Sequence, residues 1–146
     1  MSRSAQFLFG AALMAGVQAA AAQPETNVAA TGPAPSAPSS LVLYFNPGSA
    51  RVRPQDLALL DQASRLYREG KPIVMVVSGS SDATGAPATN LRLSQRRANN
   101  VLQGLVSRGI PVERFQVIAK GETDLVVPTP AGIAEERNRR VEITWR

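Results

Sequence analysis

The chain contains no cysteine and no histidine in its 146 residues. These absences exclude a disulfide, a thiolate nucleophile, a Cys/His zinc site and a Ser-His-Asp triad. Only a metal or acid–base site built from carboxylates remains open. Aromatic residues are scarce, at 5%, and they do not interleave with the basic residues as a stacking platform for bases requires. Lysine is nearly missing too: Lys71 and Lys120 are the only two among 16 basic residues, set against 11 acids for a formal charge of +5. The rest are arginines, whose planar fork suits bidentate capture of carboxylate or phosphate. Such a charge admits nucleic acid, anionic lipid or an acidic polymer as partner without choosing among them.

A long hydrophobic run is also lacking. The apolar stretch from Phe7 to Val17 falls short of the roughly 20 residues that a membrane helix needs. It follows a basic start at Arg3 and precedes Ala20-Ala21-Ala22 and Gln23. A positive start, a short apolar core and small residues at the cleavage position form a secretory signal peptide over residues 1–22. An uncleaved anchor helix is the alternative. No cysteine follows the apolar core, so a lipid cannot be attached there. Residues 23–40, QPETNVAATGPAPSAPSS, have a linker composition that cannot bury enough apolar surface to offset the entropy of ordering. The folded domain is therefore residues 41–146, one domain of ordinary size without internal repeats.

Within it, Leu41 to Phe45 read as a strand ended by the turn signal Asn46-Pro47-Gly48. Pro54 opens a helix whose apolar stripe runs through Leu57, Leu60, Ala63 or Ser64, and Tyr67, with Gly70 as its stop. Ile73 to Val77 lack alternation, which predicts a strand covered on both faces. A second amphipathic helix carries Ala98, Val101, Leu102, Leu105 and Val106 and ends at Gly109. Phe115, Val117 and Ala119 mark a third strand. Val141, Ile143 and Trp145 alternate with Arg140, Glu142 and Thr144 in a half-exposed terminal strand. The fold class is α/β in the sense of an α+β sandwich: β-α-β-α-β-β, with two main helices packed on a small mixed sheet. Trp145 and Tyr67 read as core, and Glu135-Glu136 as solvation of a long loop over 121–137, a length that often signals function.

The stretch SGSSDATG, residues 78–85, places Asp82 just past the central strand, where open sheets bind ligands. The helix beginning near Asn90 carries Arg92, Arg96 and Arg97 in its first turns. Arg97 borders the buried stripe, whereas Arg92 and Arg96 share a solvated face. A fixed carboxylate and a fixed guanidinium at one end of a sheet make a receptor for a zwitterion, helped on the Arg97 side by the helix N-terminus. Two plainer readings stay open: an Asp82–Arg97 ion bridge, or an Asp82 that shapes its turn through the Thr84 and Gly85 amides.

Five segments together carry a family resemblance. They are Gly79-Ser80-Ser81-Asp82-Ala83-Thr84-Gly85, Asn90-Leu91-Arg92-Leu93-Ser94-Gln95-Arg96-Arg97-Ala98, Gly109-Ile110, Gly121-Glu122 and Arg137-Asn138-Arg139-Arg140-Val141-Glu142-Ile143. In combination they resemble the OmpA-like C-terminal domain of Gram-negative envelope proteins over nearly all of residues 41–146. The resemblance implies non-covalent binding of peptidoglycan through the diaminopimelate of the stem peptide, in the periplasm, with no cofactor and no catalytic residue. It assigns the diaminopimelate ammonium to Asp82 and its carboxylate to Arg97. Thr84 and Asn90 match positions lining the peptide pocket, Arg139 matches a position near its mouth, and Asn46 lies in a loop bordering it. For Asn90 a helix cap is an equal alternative; for Arg139 and Arg140 the alternative is a solvated strand edge. The chain departs from the family pattern at Ser80-Ser81, where His-Thr is usual, and in a longer loop, Thr123 to Val127, before Pro128. With no membrane barrel ahead of it, the domain reads as a free periplasmic module or one tethered through its N-terminus.

Other functions compete with this one. The same domain serves as a scaffold in envelope assembly, secretion or motor complexes, which brings outer-membrane and envelope-complex proteins in as partners. A wall-modifying enzyme would pair Asp82 with Asp124 or Glu122, but glycosidases need two acids at a set separation and nothing in the spacing fixes one. The charge permits a nucleic-acid or anionic-surface binder; the export signal and the few aromatics speak against it.

Overall fold

The computed structural model describes residues 39–146. The signal-peptide reading of 1–22, and the linker reading of 23–40 up to residue 38, lie outside the described residues. The elements are β1 (Ser40–Tyr44), α1 (Leu57–Gly70), β2 (Met75–Ser80), α2 (Pro87–Val106), β3 (Phe115–Gly121) and β4 (Arg140–Trp145), with single 3-10 turns at Pro54–Asp56, Val112–Arg114 and Glu136–Asn138. The sheet order is β1-β4-β2-β3. β4 runs antiparallel to both β1 and β2, while β3 is parallel to β2. Parallel neighbours need a crossover, and α2 supplies it. The order β-α-β-α-β-β and the small mixed sheet are as the sequence implies.

Both helices cover one face. Leu41 and Leu43 of β1, Met75 and Val77 of β2, and Val141 and Ile143 of β4 point into a core completed by Leu60, Ala63, Ala98, Val101 and Leu105. Their neighbours Val42, Val76, Glu142 and Thr144 are only half-buried on the other face. The expectation of a strand covered on both faces over Ile73–Val77 is therefore corrected. The strand starts at Met75, alternates, and runs on to Ser80, and Ile73 is 74% exposed. Ile73 and Val74 lie ahead of it, their amides donating to the Arg146 carbonyl, so a backbone contact rather than burial accounts for the extended run.

Smaller corrections follow from packing. Tyr67 and Trp145 flank the core half-buried, and Leu57 is exposed. The left-handed turn after α1 is taken by Lys71 at φ 44°, with Gly70 still helical. Gly79 has a role that spacing did not reveal. A Cβ there would lie 2.1 Å from the Ser94 carbonyl oxygen, so α2 rests directly on the β2 backbone.

Candidate ligand-binding site

The antiparallel register pairs Tyr44 with Arg140 and Gly79 with Val141. Three chain segments therefore meet at one end of the sheet: Phe45 and Asn46 leaving β1, Ser81 and Asp82 leaving β2, and Arg139 entering β4. Arg97 reaches the same place from α2.

Arg97 does more than border the apolar stripe. Leu93, Ser94, Arg97, Ala98, Val101 and Leu105 form the buried face of α2, and Arg97 is 0% exposed. Its Nε donates to the Ser49 carbonyl at 2.8 Å, Nη1 to the Ser80 carbonyl at 3.0 Å and Nη2 to the Asn46 carbonyl at 3.2 Å. Its Cζ lies 5.3 Å from the centre of the Phe45 ring. Burial pushes the guanidinium down to about 10; Asp82 counters this and Arg139 adds to it. It stays charged at neutral pH. The expected help from the helix N-terminus is corrected, because α2 starts at Pro87 and not near Asn90. Arg97 thus sits almost three turns in, beyond the first turn where the dipole acts.

Asp82 is 4% exposed. Its Oδ2 accepts from Arg139 Nη1 at 3.0 Å and from the Glu135 amide at 3.4 Å, and its Oδ1 accepts from the Thr84 hydroxyl at 2.8 Å. Burial works to raise its pKa, but the Thr84, Arg139 and Glu135 donors together hold it below the ordinary carboxylate value. Its ion-pair partner is therefore Arg139 and not Arg97. The turn-shaping reading holds through the Thr84 side chain rather than the Thr84 and Gly85 amides.

Asn90 does not cap α2. It lies in the second turn, and Ala86 holds the N-cap position without a side-chain bond. The Asn90 amide is buried and donates to the Gly85 carbonyl and to Glu122, which braces the loop that follows Asp82. Thr84 is exposed apart from its bond to Asp82. Asn46 is exposed as well. Its carbonyl serves Arg97, and it lines a cleft of about 180 Å³ with Ser49, Arg51, Val52, Arg53, Pro54 and Gln55.

The solvated-edge reading of Arg139 and Arg140 is overturned. β4 is an interior strand, and the two arginines are 8% and 7% exposed. Arg139 Nε donates to the Phe45 carbonyl at 3.0 Å. Arg140 Nη2 and Lys120 Nζ both grip Asp124, at 3.3 and 2.7 Å. Glu135 and Glu136 do more than solvate the loop: Glu135 accepts from the Arg137 amide and guanidinium, and Glu136 from Arg53. Arg92 and Arg96 are exposed as expected. Among the described residues no three Asp or Glu side chains gather as a metal site.

Sequence reasoning gave no such role to four participants. The carbonyls of Ser49 and Ser80 hold Arg97, and backbone acceptors leave no mark in a sequence because every residue has one. Asn138, 0% exposed, clamps Val127 by both its amide and its carbonyl; its signal was present in the Arg137-Asn138-Arg139-Arg140 segment but was overshadowed by the charges. Ser81 Oγ is buried without a partner.

The profile of the OmpA family matches residues 44–139. Outer membrane protein A of Bordetella avium is 33% identical over 100 residues, 68% of this chain and 52% of that protein. The probable lipoprotein YiaD of Escherichia coli strain K12 is 30% identical over 68% of this chain and 46% of its own length. The chain thus spans about half the length of these relatives. Among solved structures, the peptidoglycan-associated lipoprotein from Burkholderia pseudomallei superposes with a TM-score of 0.67 at 25% identity, covering 72% of this chain and 89% of that one. The cell wall anchor of the type VI secretion system from Pseudomonas aeruginosa gives 0.61 at 29% identity, with 73% and 79% covered. Profile, sequence relatives and superposed structures agree, and this chain belongs to the OmpA family.

Proposed function

We propose that the domain binds peptidoglycan non-covalently in the periplasm, as an anchor of the Gram-negative envelope, and that the diaminopimelate of the stem peptide is what it grips. The observation carrying this reading is the joining of the two charged positions. Arg97 Nη1 bonds the carbonyl of Ser80, two residues before Asp82, so carboxylate and guanidinium belong to one end of one strand. A guanidinium has five N–H groups, and the three bonds to carbonyls leave two for an incoming carboxylate. The ligand ammonium goes to Asp82. Asn46, Thr84 and Arg139 border the two charges, and Asn90 holds the loop between them. Two superposed relatives named for wall attachment support the same class of ligand.

Catalysis has less support. A glycosidase needs one carboxyl whose pKa is raised so that it donates a proton. Asp82 and Asp124 are both held below the ordinary value, Asp124 mainly by its hydrogen bond from Lys120. Glu122 is engaged by Asn90.

The test is co-sedimentation with two kinds of purified sacculi, one with diaminopimelate and one with lysine at the third stem position. Lysine keeps the ammonium and lacks the carboxylate. The chain is expected to pellet with the first kind and stay soluble with the second, and Asp82→Asn is expected to stay soluble with both. Equal pelleting on both kinds of wall would defeat the diaminopimelate assignment, and no pelleting on either would defeat wall binding altogether.

A further inference from the structure

The Asp82 side of the site is already full. Asp82 receives three donors: the Thr84 hydroxyl at 2.8 Å, Arg139 Nη1 at 3.0 Å and the Glu135 amide at 3.4 Å. A carboxylate offers about four acceptor positions, and Asp82 is 4% exposed. An ammonium with three N–H groups and a hydration shell to lose does not fit into what remains. Resting on the wall-binding reading, we propose that Arg139 is a resident cation on the Asp82 seat, that a ligand ammonium binds by exchange with it, and that this exchange makes an amine obligatory in the ligand.

Arg139 is the donor best placed to leave. Its Nε is held separately by the Phe45 carbonyl at 3.0 Å, so the Nη end can swing from Asp82 while the side chain stays tethered. A receiver stands close by. Glu135 is anchored at the same oxygen, its amide donating to Asp82 Oδ2 at 3.4 Å, and the Arg139 charge helps hold its carboxyl below the ordinary value after the larger effect of Arg137, with which that carboxylate already pairs. The Thr84 hydroxyl and the Glu135 amide carry no charge and can stay. The selection for an amine follows from burial. Taking Arg139 away with nothing in its place leaves Asp82 as an unpaired buried charge, which is strongly unfavourable. A ligand that brings only a carboxylate to Arg97 cannot displace Arg139, whereas one that also brings an ammonium restores the pair as it breaks it. The price of the exchange appears as an affinity lower than the open site would have, by the fraction of time the seat is vacant.

The experiment is calorimetric titration of the full chain with the tripeptide L-Ala-γ-D-Glu-meso-diaminopimelate. The variant R139Q keeps a donor for the Phe45 carbonyl and loses the cation. It is expected to bind about tenfold more tightly than wild type, because the competitor is gone. R139K keeps a cation and is expected to stay within about threefold of wild type. Weaker or unchanged binding by R139Q overturns the exchange and makes Arg139 an ordinary contact. Should R139Q not fold, side-chain nitrogen NMR of the wild-type arginines decides. On adding tripeptide the Arg139 Nη protons are expected to lose their protection from exchange, and an undisturbed Arg139 signal at saturation overturns the proposal. A wild-type chain that does not bind the tripeptide at all sinks the wall-binding reading itself, and the exchange with it; tripeptide binding with no gain in R139Q sinks only the exchange.

Discussion

Nη1 of Arg97 donates to the carbonyl of Ser80 at 3.0 Å. This bond makes a charged side chain part of the fold as much as of the site. The same guanidinium holds the β1–α1 loop through Asn46 and Ser49, so one cation ties α2 to both the end of β2 and that loop. Removing it leaves carbonyls without donors and a hole against Phe45. Arg97→Ala is therefore expected to lower the unfolding free energy by about 2–5 kcal/mol, read as a lower urea midpoint at unchanged slope. An Arg97→Ala variant as stable as wild type would refute the structural role. The practical consequence is that lost wall binding in this variant says little by itself, and Asp82→Asn is the cleaner probe.

Asp82 also gives the fold a pH signature. Its folded pKa is depressed below the ordinary carboxylate value by Thr84, Arg139 and the Glu135 amide acting against burial. A depressed carboxylate stabilises the fold above its unfolded pKa, near 4, and that contribution is lost as pH falls through the lower folded value. Thermal unfolding of wild type and Asp82→Asn across pH 7 to pH 2 is the check. The gap between them is expected to be full at pH 7 and to narrow steadily once the pH falls below about 4. A gap that stays constant down to pH 2 contradicts the depressed pKa.

Gly79 provides a test of packing beneath the charges. Its absent Cβ leaves room for the Ser94 carbonyl oxygen, which would sit 2.1 Å from it. A backbone oxygen in the middle of a helix cannot step aside as the end of a flexible side chain can. Gly79→Ala is expected to cost about 2 kcal/mol or more as α2 is pushed off β2. Gly70→Ala makes the control: nothing lies within 4 Å of its added Cβ and its φ is not in the left-handed region, so a gain of about 0.5–1 kcal/mol is expected. Similar melting temperatures for the two variants would count against the close approach.

Periodicity made the sheet and helices legible, because apolar side chains must face the core wherever helix or strand repeats. Leu60 and Ala63, Ala98 and Val101, Val141 and Ile143 announce their faces by spacing alone. It failed at Ile73, where a short apolar run carries no period and a backbone contact to Arg146 sets the conformation. For the site, Asp82 and Arg97 stood out as charges beside an apolar strand and stripe. Which groups they pair with did not. The Asp82–Arg139 pair joins residues 57 positions apart, and that distance is closed only once β4 inserts between β1 and β2. Arg139 and Arg140 looked like a solvated edge because position within a sheet is a property of strand order, which alternation does not encode. The acceptors of Arg97 are carbonyls, and no side chain advertises those.

Asn138 organises the loop at Val127 and Thr129. It is 0% exposed. Its Oδ1 accepts from the Val127 amide at 2.9 Å, and its Nδ2 donates to the Val127 carbonyl at 2.8 Å and to the Thr129 hydroxyl at 3.3 Å. One side chain thus stands in for a backbone partner over a segment that has no strand neighbour. Asn138→Asp keeps the size and the acceptor and replaces the donor with an anion facing a carbonyl. It is expected to lose about 2–3 kcal/mol of stability and, more tellingly, to release the loop before the rest of the domain. Amide exchange at Val127 is expected to rise about tenfold or more while Val77 and Ile143 keep their protection. Uniform acceleration across all three sites would mean that Asn138 supports the whole fold, and no acceleration at Val127 would mean that the loop is held by something else.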